Sequence, residues 1–265
     1  MGSSRVGFVG AGRMGLPMVE RLAAAGHDLV VYARRAEAAA ELDRRGIRHT
    51  AELAEAAASA DVLVLCVFSD EQLTEIADPL AAALPDGAVF ASHVTGRASV
   101  LRSLADRFPA IHVVDAPVSG GPGEIAAGRL TVLLGGLPAA RVRAAEAVSA
   151  YADPVIETGE LGTALAVKLV NNFLFAANTQ VLAEAVWLGE ELGVAPGEML
   201  SALNHMSGGS QVSRRAAGAD MASFATRIGP FMKKDVAVCL EQAAERGVDP
   251  GLLIEIVRRG RLTLI

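Results

Sequence analysis

Three glycines with the spacing G-x-G-x-x-G lie near the start of this 265-residue sequence, in the segment Gly10, Ala11, Gly12, Arg13, Met14, Gly15. The apolar run Val6–Val9 leads into the segment, and a pattern typical of an amphipathic helix follows it. In this setting Gly10 permits a tight turn, Gly12 lets the backbone approach a pyrophosphate, and Gly15 lets the helix pack closely on the strand. The amides and the positive dipole end of the helix N-terminus then bind phosphate oxygens. The sequence therefore predicts a dinucleotide site here, in preference to a tight turn that binds nothing.

Two arginines, Arg34 and Arg35, follow the second predicted strand, which ends at Tyr32. Dinucleotide-binding units that prefer NAD usually carry Asp or Glu near this point, where it accepts hydrogen bonds from the ribose hydroxyls. A carboxylate repels a 2′-phosphate, whereas a guanidinium binds it through two parallel hydrogen bonds. We therefore expect NADP(H) to be preferred over NAD(H). The alternative, which we expect to hold for one of the two, is a solvated arginine at the start of the next helix.

A second candidate site is the segment Ser119, Gly120, Gly121, which follows the predicted strand His112–Asp115. Ligands of open α/β sheets bind at the carboxyl ends of the strands. Two glycines let backbone amides approach an anion, and the serine hydroxyl adds a donor, which suits a substrate carboxylate. From the residues alone, a flexible turn is an equally good interpretation.

Lys168 and Asn172 are four residues apart in a helical pattern, so their side chains share a face of the helix. The neighbours of the lysine are apolar, namely Ala164, Leu165, Val167, Leu169 and Val170. Desolvation beside a cationic nicotinamide lowers the pKa of a lysine toward neutrality, where the amine can exchange a proton with a substrate oxygen. The alternative is a lysine whose stem covers apolar surface while its amine stays in water, and this is commoner.

Short Val-rich runs alternate with alanine-rich helical patterns in the first half of the sequence. The predicted strands are Val6–Val9, Leu29–Tyr32, Val62–Val67, Ala88–Ala91, His112–Asp115 and Leu130–Leu134. Helical patterns lie between them, at Met14–Ala25, Glu71–Ala83 and Val100–Arg107. Such alternation predicts a parallel, doubly wound sheet with right-handed crossovers.

The pattern changes after Asp153-Pro154. No proline occurs from Leu161 to Leu192, and apolar residues recur at helical spacing, which predicts one unusually long helix. Further helical patterns follow at Gly197–His205, Arg215–Ala222, Phe231–Arg246 and Leu252–Arg259. We therefore predict an α/β fold with an N-terminal Rossmann-type, NADP-binding domain at residues 1–160. The long helix then leads into an all-helical domain for substrate binding and dimerisation at residues 161–265.

Composition narrows the classes of function. Hydrophobic residues make up 52% of the chain and charged residues 20%, which is enough for a sizeable core. The net charge of −6 argues against a nucleic-acid or anionic-membrane partner, because both need a basic face. No stretch has the apolar length of a membrane span and no charged-then-apolar leader precedes the first strand, so we expect a cytoplasmic protein. We expect Cys66 to be buried, and the histidines other than His93 show no metal-ligand spacing.

Four spaced blocks of the sequence are Gly7–Met18, Asp115–Gly121, Lys168–Asn172 and Phe231–Asp235. Together they resemble the signatures of the β-hydroxyacid dehydrogenase family, which includes 3-hydroxyisobutyrate dehydrogenase, tartronate semialdehyde reductase and glyoxylate/succinic semialdehyde reductases. The resemblance covers nearly the whole chain, and it is specific because four blocks must coincide in order.

The resemblance implies roles for residues in these blocks. It implies that Lys168 is the catalytic residue and that Asn172 orients it. It also implies that Ser119–Gly121 hold the carboxylate of a small substrate and that Phe231 lines the substrate pocket.

The resemblance implies two further cofactor contacts, Thr95 and Lys234. Thr95 falls where the family often has an Asp-His-Thr-Thr run facing the nicotinamide, and His93 and Thr95 match that run. Lys234 matches a lysine that reaches toward the cofactor from the helical domain, with a solvated helix lysine as the alternative. We also include Val67, at the end of a predicted strand.

The predicted reaction is a reversible hydride transfer between NADP(H) and a small β-hydroxy acid or its semialdehyde. Lys168 is expected to serve as general acid/base, and no metal is expected. The alternatives are an imine reductase-like enzyme of the same architecture and a non-catalytic dinucleotide-binding module, both of which usually lack this lysine. We expect a homodimer or homotetramer, with a dimer through the long helix, because a helix apolar on most faces needs cover.

Overall fold

A computed structural model describes residues 4–264; Met1–Ser3 and Ile265, at the outer limits of the two predicted domains, lie outside the described residues. The strands are β1 (Arg5–Val9), β2 (Asp28–Tyr32), β3 (His49–Thr50), β4 (Val62–Leu65), β5 (Val89–Ser92), β6 (His112–Asp115), β7 (Val118–Ser119), β8 (Leu130–Gly135) and β9 (Ala152–Gly159). The helices are α1 (Gly15–Ala24), α2 (Ala36–Arg44), α3 (Leu53–Ala57), α4 (Asp70–Ala83), α5 (Ala98–Arg107), α6 (Pro122–Ala126), α7 (Pro138–Val148), α8 (Thr163–Glu191), α9 (Pro196–Leu203), α10 (Gln211–Ala216), α11 (Met221–Glu245) and α12 (Leu252–Arg259).

The described strands form one sheet in the order β3-β2-β1-β4-β5-β6-β8-β7, and β9 pairs with β8. Within the set β1 to β6, every pair of neighbouring strands is parallel. Strand β8 is antiparallel to both β6 and β7. The chain begins in the middle of the sheet at β1, extends outward to β3 and then returns to β4 on the other side. The strand order therefore reverses between β1 and β4, and the glycine loop that follows β1 lies at this switch point.

Both faces of the sheet are covered, as burial along β4 shows. All four residues of β4 are buried; Val62 and Val64 belong to one core, and Leu63 and Leu65 belong to the other. Successive side chains of a strand point to opposite faces, so a continuous apolar run needs cover on both sides. The predicted doubly wound α/β class is confirmed.

The chain divides into two compact units, one ending at Lys168 and the other beginning at Leu169. The boundary predicted after residue 160 lies a few residues earlier, just before α8. In the second unit, one apolar cluster includes Phe173, Val236 and Val257, from α8, α11 and α12. None of the described helices combines the length and the apolar character that a membrane crossing requires.

The helical pattern was misread between α10 and α11. The helix predicted at residues 215–222 is wrong, because the chain leaves the helical conformation there. Asp220 caps α11, and its Oδ1 accepts a hydrogen bond from the Ser223 amide at 2.8 Å. The helix predicted at 231–246 therefore begins earlier than expected and continues through Pro230. A capping oxygen satisfies an amide that has no intrahelical acceptor, whereas an interior proline removes one donor.

The sequence also did not predict β9, where it indicated only a change of pattern at Asp153-Pro154. In the described sheet β9 pairs with β8 alone, and the register shifts between Leu130 and Val132, opposite the proline. Proline is tolerated at sheet edges and bulges because its missing N–H interrupts no second ladder.

Candidate functional site

The glycine loop combines close packing with open space. Gly10 has a φ of +102°, and a Cβ added there would overlap the carbonyl oxygen of Cys66. A Cβ on Gly15 would overlap the carbonyl oxygen of Gly10, whereas a Cβ on Gly12 would meet no atom within 4 Å. The outer two glycines are therefore needed for the packing of the loop itself. The backbone at Gly12 borders open space that a pyrophosphate could fill.

The N-terminus of α1 adjoins this space. In the described structure no side chain caps its first amides, and its first turn contains no acidic residue. Such amides, together with the positive end of the helix dipole, bind anions. The remaining residues of the predicted loop surround this point, with Arg13 exposed and Ala11 and Met14 half-buried. The residues present therefore fit the phosphates of a dinucleotide.

The other predicted cofactor residues of the first unit follow strands next to β1. Arg34 and Arg35 come directly after β2 and are exposed, while Val67 follows β4 and Thr95 follows β5, both half-buried. Because β2, β1, β4 and β5 are adjacent and parallel, their carboxyl ends meet at one edge of the sheet. The fold brings all of these positions to the edge that carries the glycine loop.

A residue that the sequence analysis did not name, Asp70, holds the loop that carries Thr95. Its largely buried carboxylate accepts a hydrogen bond from the Arg97 amide at 2.8 Å and lies 3.5 Å from the Arg97 guanidinium. A Cβ on Gly96 would overlap this carboxylate. Asp70 therefore fixes the backbone just after Thr95, and its place at the first turn of α4 was the available signal.

His93 points into the core rather than toward the ligand edge. It is buried, its Nδ1 contacts the carbonyl oxygen of Ala116, and its Nε2 lies 2.8 Å from the hydroxyl of Tyr151. A carbonyl only accepts, so Nδ1 carries the hydrogen and Nε2 accepts from Tyr151. Burial lowers the pKa of His93 to about 4. The predicted contact of this segment with a nicotinamide therefore depends on Thr95 alone.

The segment predicted to hold a substrate carboxylate, Ser119–Gly121, already binds the carboxylate of Glu124. Ser119 ends β7 and is half-buried, and Gly120 has a φ of +138° with the Leu130 side chain against it. The Gly121 amide donates a hydrogen bond to Oε2 of Glu124 at 2.9 Å. A substrate carboxylate that uses the Gly121 amide would have to displace the Glu124 side chain.

Helix α8 begins at the same sheet edge as the glycine loop. Asp115, the last residue of β6, is fully buried, and its Oδ1 and Oδ2 accept hydrogen bonds from the amides of Gly162 and Leu165, each at 2.8 Å. Lys168 lies three residues further along α8 and is half-buried. Sequence reasoning included Asp115 in a block but gave it no role.

In the second unit, Asn172, Asp235 and Lys234 form one group of polar contacts. Asn172 Nδ2 lies 2.5 Å from Asp235 Oδ2, and Lys234 Nζ lies 3.0 Å from Asp235 Oδ1. Asn171 Nδ2 donates to Asn172 Oδ1 at 3.0 Å. Asn172 and Asp235 are buried, Lys234 is half-buried, and Phe231, one turn before Asp235, is exposed. Sequence reasoning assigned Asn172 and Lys234 to the site but gave Asp235 no role.

The cysteine and histidine content of residues 4–264 offers no metal site. No group of three or more His, Cys, Asp or Glu side chains in this range could hold a metal ion. Cys66 is half-buried, and burial raises the pKa of its thiol to about 12.

Two family models match the chain along almost its whole length. The model described as the NAD binding domain of 6-phosphogluconate dehydrogenase matches residues 5–162, and the model described as NAD-binding of NADP-dependent 3-hydroxyisobutyrate dehydrogenase matches residues 162–260. The chain belongs to the β-hydroxyacid dehydrogenase family. It is a dinucleotide-binding oxidoreductase of this family, and the resemblance inferred from the four sequence blocks is confirmed.

Individual relatives agree with this assignment. An uncharacterized oxidoreductase of Mycobacterium tuberculosis, Rv0770, is 33% identical over 214 residues, which are 78% of this chain and 72% of that protein. Mitochondrial 3-hydroxyisobutyrate dehydrogenase of Mus musculus is 31% identical over 208 residues, 77% of this chain and 62% of the mouse protein. The solved Mycobacterium tuberculosis 3-hydroxyisobutyrate dehydrogenase with L-serine matches with a TM-score of 0.85 at 24% identity, covering 97% of this chain and 92% of that one, and so shares the fold.

Proposed function

We propose that this protein is a cytoplasmic, NADP(H)-dependent 3-hydroxyacid dehydrogenase or semialdehyde reductase. It interconverts a small β-hydroxy acid and its semialdehyde, with Lys168 as general acid/base. The nicotinamide, when bound, supplies or accepts the hydride, and the protein supplies binding, orientation and the proton.

One observation carries the proposal. The helix that bears Lys168 starts at the carboxyl edge of the sheet, where Asp115 binds the amides of Gly162 and Leu165. The glycine loop and Thr95 lie at the same edge. A lysine on the first turns of this helix therefore belongs to the part of the fold that fits a dinucleotide.

Lys168 transfers the proton to and from the substrate oxygen. During reduction its ammonium donates a proton to the substrate carbonyl oxygen as a hydride adds to the carbonyl carbon, and during oxidation the neutral amine removes the hydroxyl proton. Lys168 is half-buried, which weakens the solvation of its ammonium. Asn172, on the same face of α8, orients the amine, while Asp235 and Asn171 restrain its own amide.

The substrate carboxylate rests on Ser119, Gly120 and Gly121. The serine hydroxyl and the two backbone amides supply donors for it, once Glu124 has left the Gly121 amide. Phe231 lines the substrate pocket in this proposal, as the family resemblance implies.

NADP(H) is the proposed cofactor because Arg34 and Arg35 are both exposed directly after β2. In the Rossmann arrangement this position faces the adenosine ribose, where an arginine accommodates a 2′-phosphate. Thr95 is the proposed contact at the nicotinamide, and Lys234 is a further proposed contact with the cofactor.

The test is oxidation of NADPH, with NADH as control, against a panel of short aldehydes bearing a carboxylate or sulfonate, with a cyclic imine included. The proposal predicts rapid NADPH oxidation with a carboxylate-bearing aldehyde. Preferential reduction of the imine would support an imine reductase instead. Binding of NADPH without oxidation across the panel would support a non-catalytic module.

We also propose that two copies associate through α8 as a homodimer, which could pair into a homotetramer. Val167, Leu174, Val181 and Leu188 are spaced seven residues apart and are each between 47% and 53% exposed. A seven-residue apolar repeat forms a seam along a helix that a second helix can cover. Sedimentation of the wild-type protein as a dimer, and of the Leu174→Glu/Val181→Glu variant as a monomer, would support this arrangement; a monomeric wild type would contradict it.

A further inference from the structure

We propose that Asp115 is a positioning residue for proton transfer, because it holds the start of α8 so that Lys168 is correctly placed. This inference rests on the proposed function of Lys168. Asp115 itself lies beneath the site, fully buried, and acts through the helix rather than on the substrate.

The carboxylate of Asp115 binds the first turn of α8 at two points. Oδ1 accepts from Gly162 N and Oδ2 from Leu165 N, both at 2.8 Å, so neither translation nor rotation of that turn leaves both bonds intact. The first amides of a helix have no intrahelical acceptor, and a carboxylate satisfies both their hydrogen bonds and the positive dipole end. Lys168 follows Leu165 by about 4.5 Å along the helix axis, so it moves with this turn.

The opposite strand is shaped to admit this carboxylate. Gly135 of β8 pairs with Asp115, and a Cβ there would overlap Asp115 Oδ1. The same Cβ would lie 2.8 Å from the carbonyl oxygen of Glu160. A glycine at this place therefore leaves room for the carboxylate between β8 and the turn that precedes α8.

Asp115 also precedes the proposed carboxylate site closely in the sequence. Ser119 follows it by four residues in the same chain segment, through Ala116 and Pro117. Ala116 is held in turn by the His93 side chain. The same buried aspartate thus ends the strand that leads to Ser119 and holds the helix that presents Lys168, and these are the two groups proposed to meet the substrate.

The alternative is that Asp115 only contributes to overall stability, and a double-mutant cycle separates the two roles. Single-turnover NADPH oxidation is measured in wild type, Asp115→Asn, Lys168→Ala and the double variant. An amide in place of the carboxylate keeps one acceptor and turns a donor toward the second helix amide. We expect Asp115→Asn to slow the wild-type rate by about tenfold to hundredfold, with NADPH affinity unchanged.

In the Lys168→Ala background, the same substitution should change the residual rate by less than about twofold, because the group it positions is gone. An equal slowing in both backgrounds would overturn the role of Asp115 while leaving the proposed function intact. Wild-type turnover by Lys168→Ala would instead overturn the proposed function, and the role of Asp115 with it.

A second readout is independent of activity. Amide hydrogen exchange at Gly162 and Leu165 should accelerate in Asp115→Asn while exchange in β1 stays at the wild-type rate. Gly135→Ala, which keeps the aspartate but displaces its carboxylate, should reproduce both effects. Gly197→Ala is the matched control, because a Cβ there meets no atom within 4 Å. Unchanged exchange at both amides in Asp115→Asn would overturn the proposal.

Discussion

Asn172 Nδ2 lies 2.5 Å from Asp235 Oδ2, and both side chains are buried. The sequence placed Asn172 beside Lys168 on one helix, and the structure adds a restraint from α11. With Asn171 donating to its Oδ1, the Asn172 amide is held at both ends. Its orientation is therefore set by neighbours within the second unit rather than by solvent.

Replacing Asp235 should destabilise the second unit. Asp235→Ala leaves the Asn172 amide without its acceptor and removes the Lys234–Asp235 ion pair, which we expect to lower the free energy of unfolding by about 2 kcal/mol. Urea unfolding measures this loss. Asp235→Asn keeps an acceptor and should lose less stability. The control is Lys233→Ala, at an exposed neighbouring position, whose free energy of unfolding should lie within about 0.5 kcal/mol of wild type. An Asp235→Ala variant as stable as wild type would show that the contact contributes nothing.

The two arginines after β2 should decide cofactor choice. Arg34→Ser/Arg35→Ser removes the proposed partners of a 2′-phosphate, so the KM for NADPH should rise about tenfold or more while the KM for NADH changes little. Initial rates with each cofactor measure the ratio, and Arg258→Ser, on the exposed side of α12, is the control. Parallel rises for both cofactors would contradict the assignment.

Glu124 should raise the KM of a carboxylate substrate. Glu124→Ala removes a negative charge and vacates the Gly121 amide, and we expect the KM for the substrate to fall about fivefold with kcat unchanged. Glu124→Gln removes the charge but keeps an acceptor, so its effect should be smaller. Glu75→Ala, an exposed glutamate on α4, serves as control. A higher substrate KM in Glu124→Ala would mean that the glutamate supports the site instead.

The free energy of unfolding should decrease as the pH is lowered, because His93 is protonated in the unfolded chain before it is protonated in the folded one. Burial lowers the pKa of His93 from the usual 6.5 to about 4, so the unfolded chain takes up a proton between these values and the folded chain does not. The contribution is therefore fully present above pH 6.5 and is lost as the pH falls toward 4, by about 3 kcal/mol in total. Tyr151, its buried partner, has a raised pKa and stays neutral throughout.

Urea unfolding at several pH values between 4 and 7 measures this dependence in wild type and in His93→Gln. The variant is expected to be less stable at neutral pH but to lose less stability on acidification. It lacks the titrating imidazole, whereas its carboxyl groups are the same as those of the wild type. Identical slopes in the two proteins would contradict a buried neutral histidine.

Features that depend on consecutive residues could be predicted from the sequence. The glycine loop and its flanking strand and helix are encoded in one short stretch, and the long apolar helix ends close to where it was expected. Arg34 and Arg35 were identified because they follow the second predicted strand, whereas Thr95 was implied by the family resemblance; in the described sheet the ends of β2, β4 and β5 meet at one edge.

Contacts between distant segments could not be predicted in this way. Asp115 and Gly162 are 47 residues apart, and a side chain that binds backbone amides leaves no periodic signal. His93 at the end of β5 gave no sign that its ring turns into the core toward Tyr151, 58 residues away. The need for a glycine at position 135 can likewise be explained only from the structure, where Gly135 pairs with Asp115.

The role of Lys168 as general acid/base is tested most directly by measuring both cofactor binding and turnover in the Lys168→Ala variant. The Kd of this variant for NADPH, measured by fluorescence titration, should stay at the wild-type value, because the glycine loop and the arginines are intact. Turnover of the best aldehyde should fall by about a thousandfold, because no group remains to transfer the proton. Turnover within about threefold of wild type would contradict the assignment of Lys168 as general acid/base.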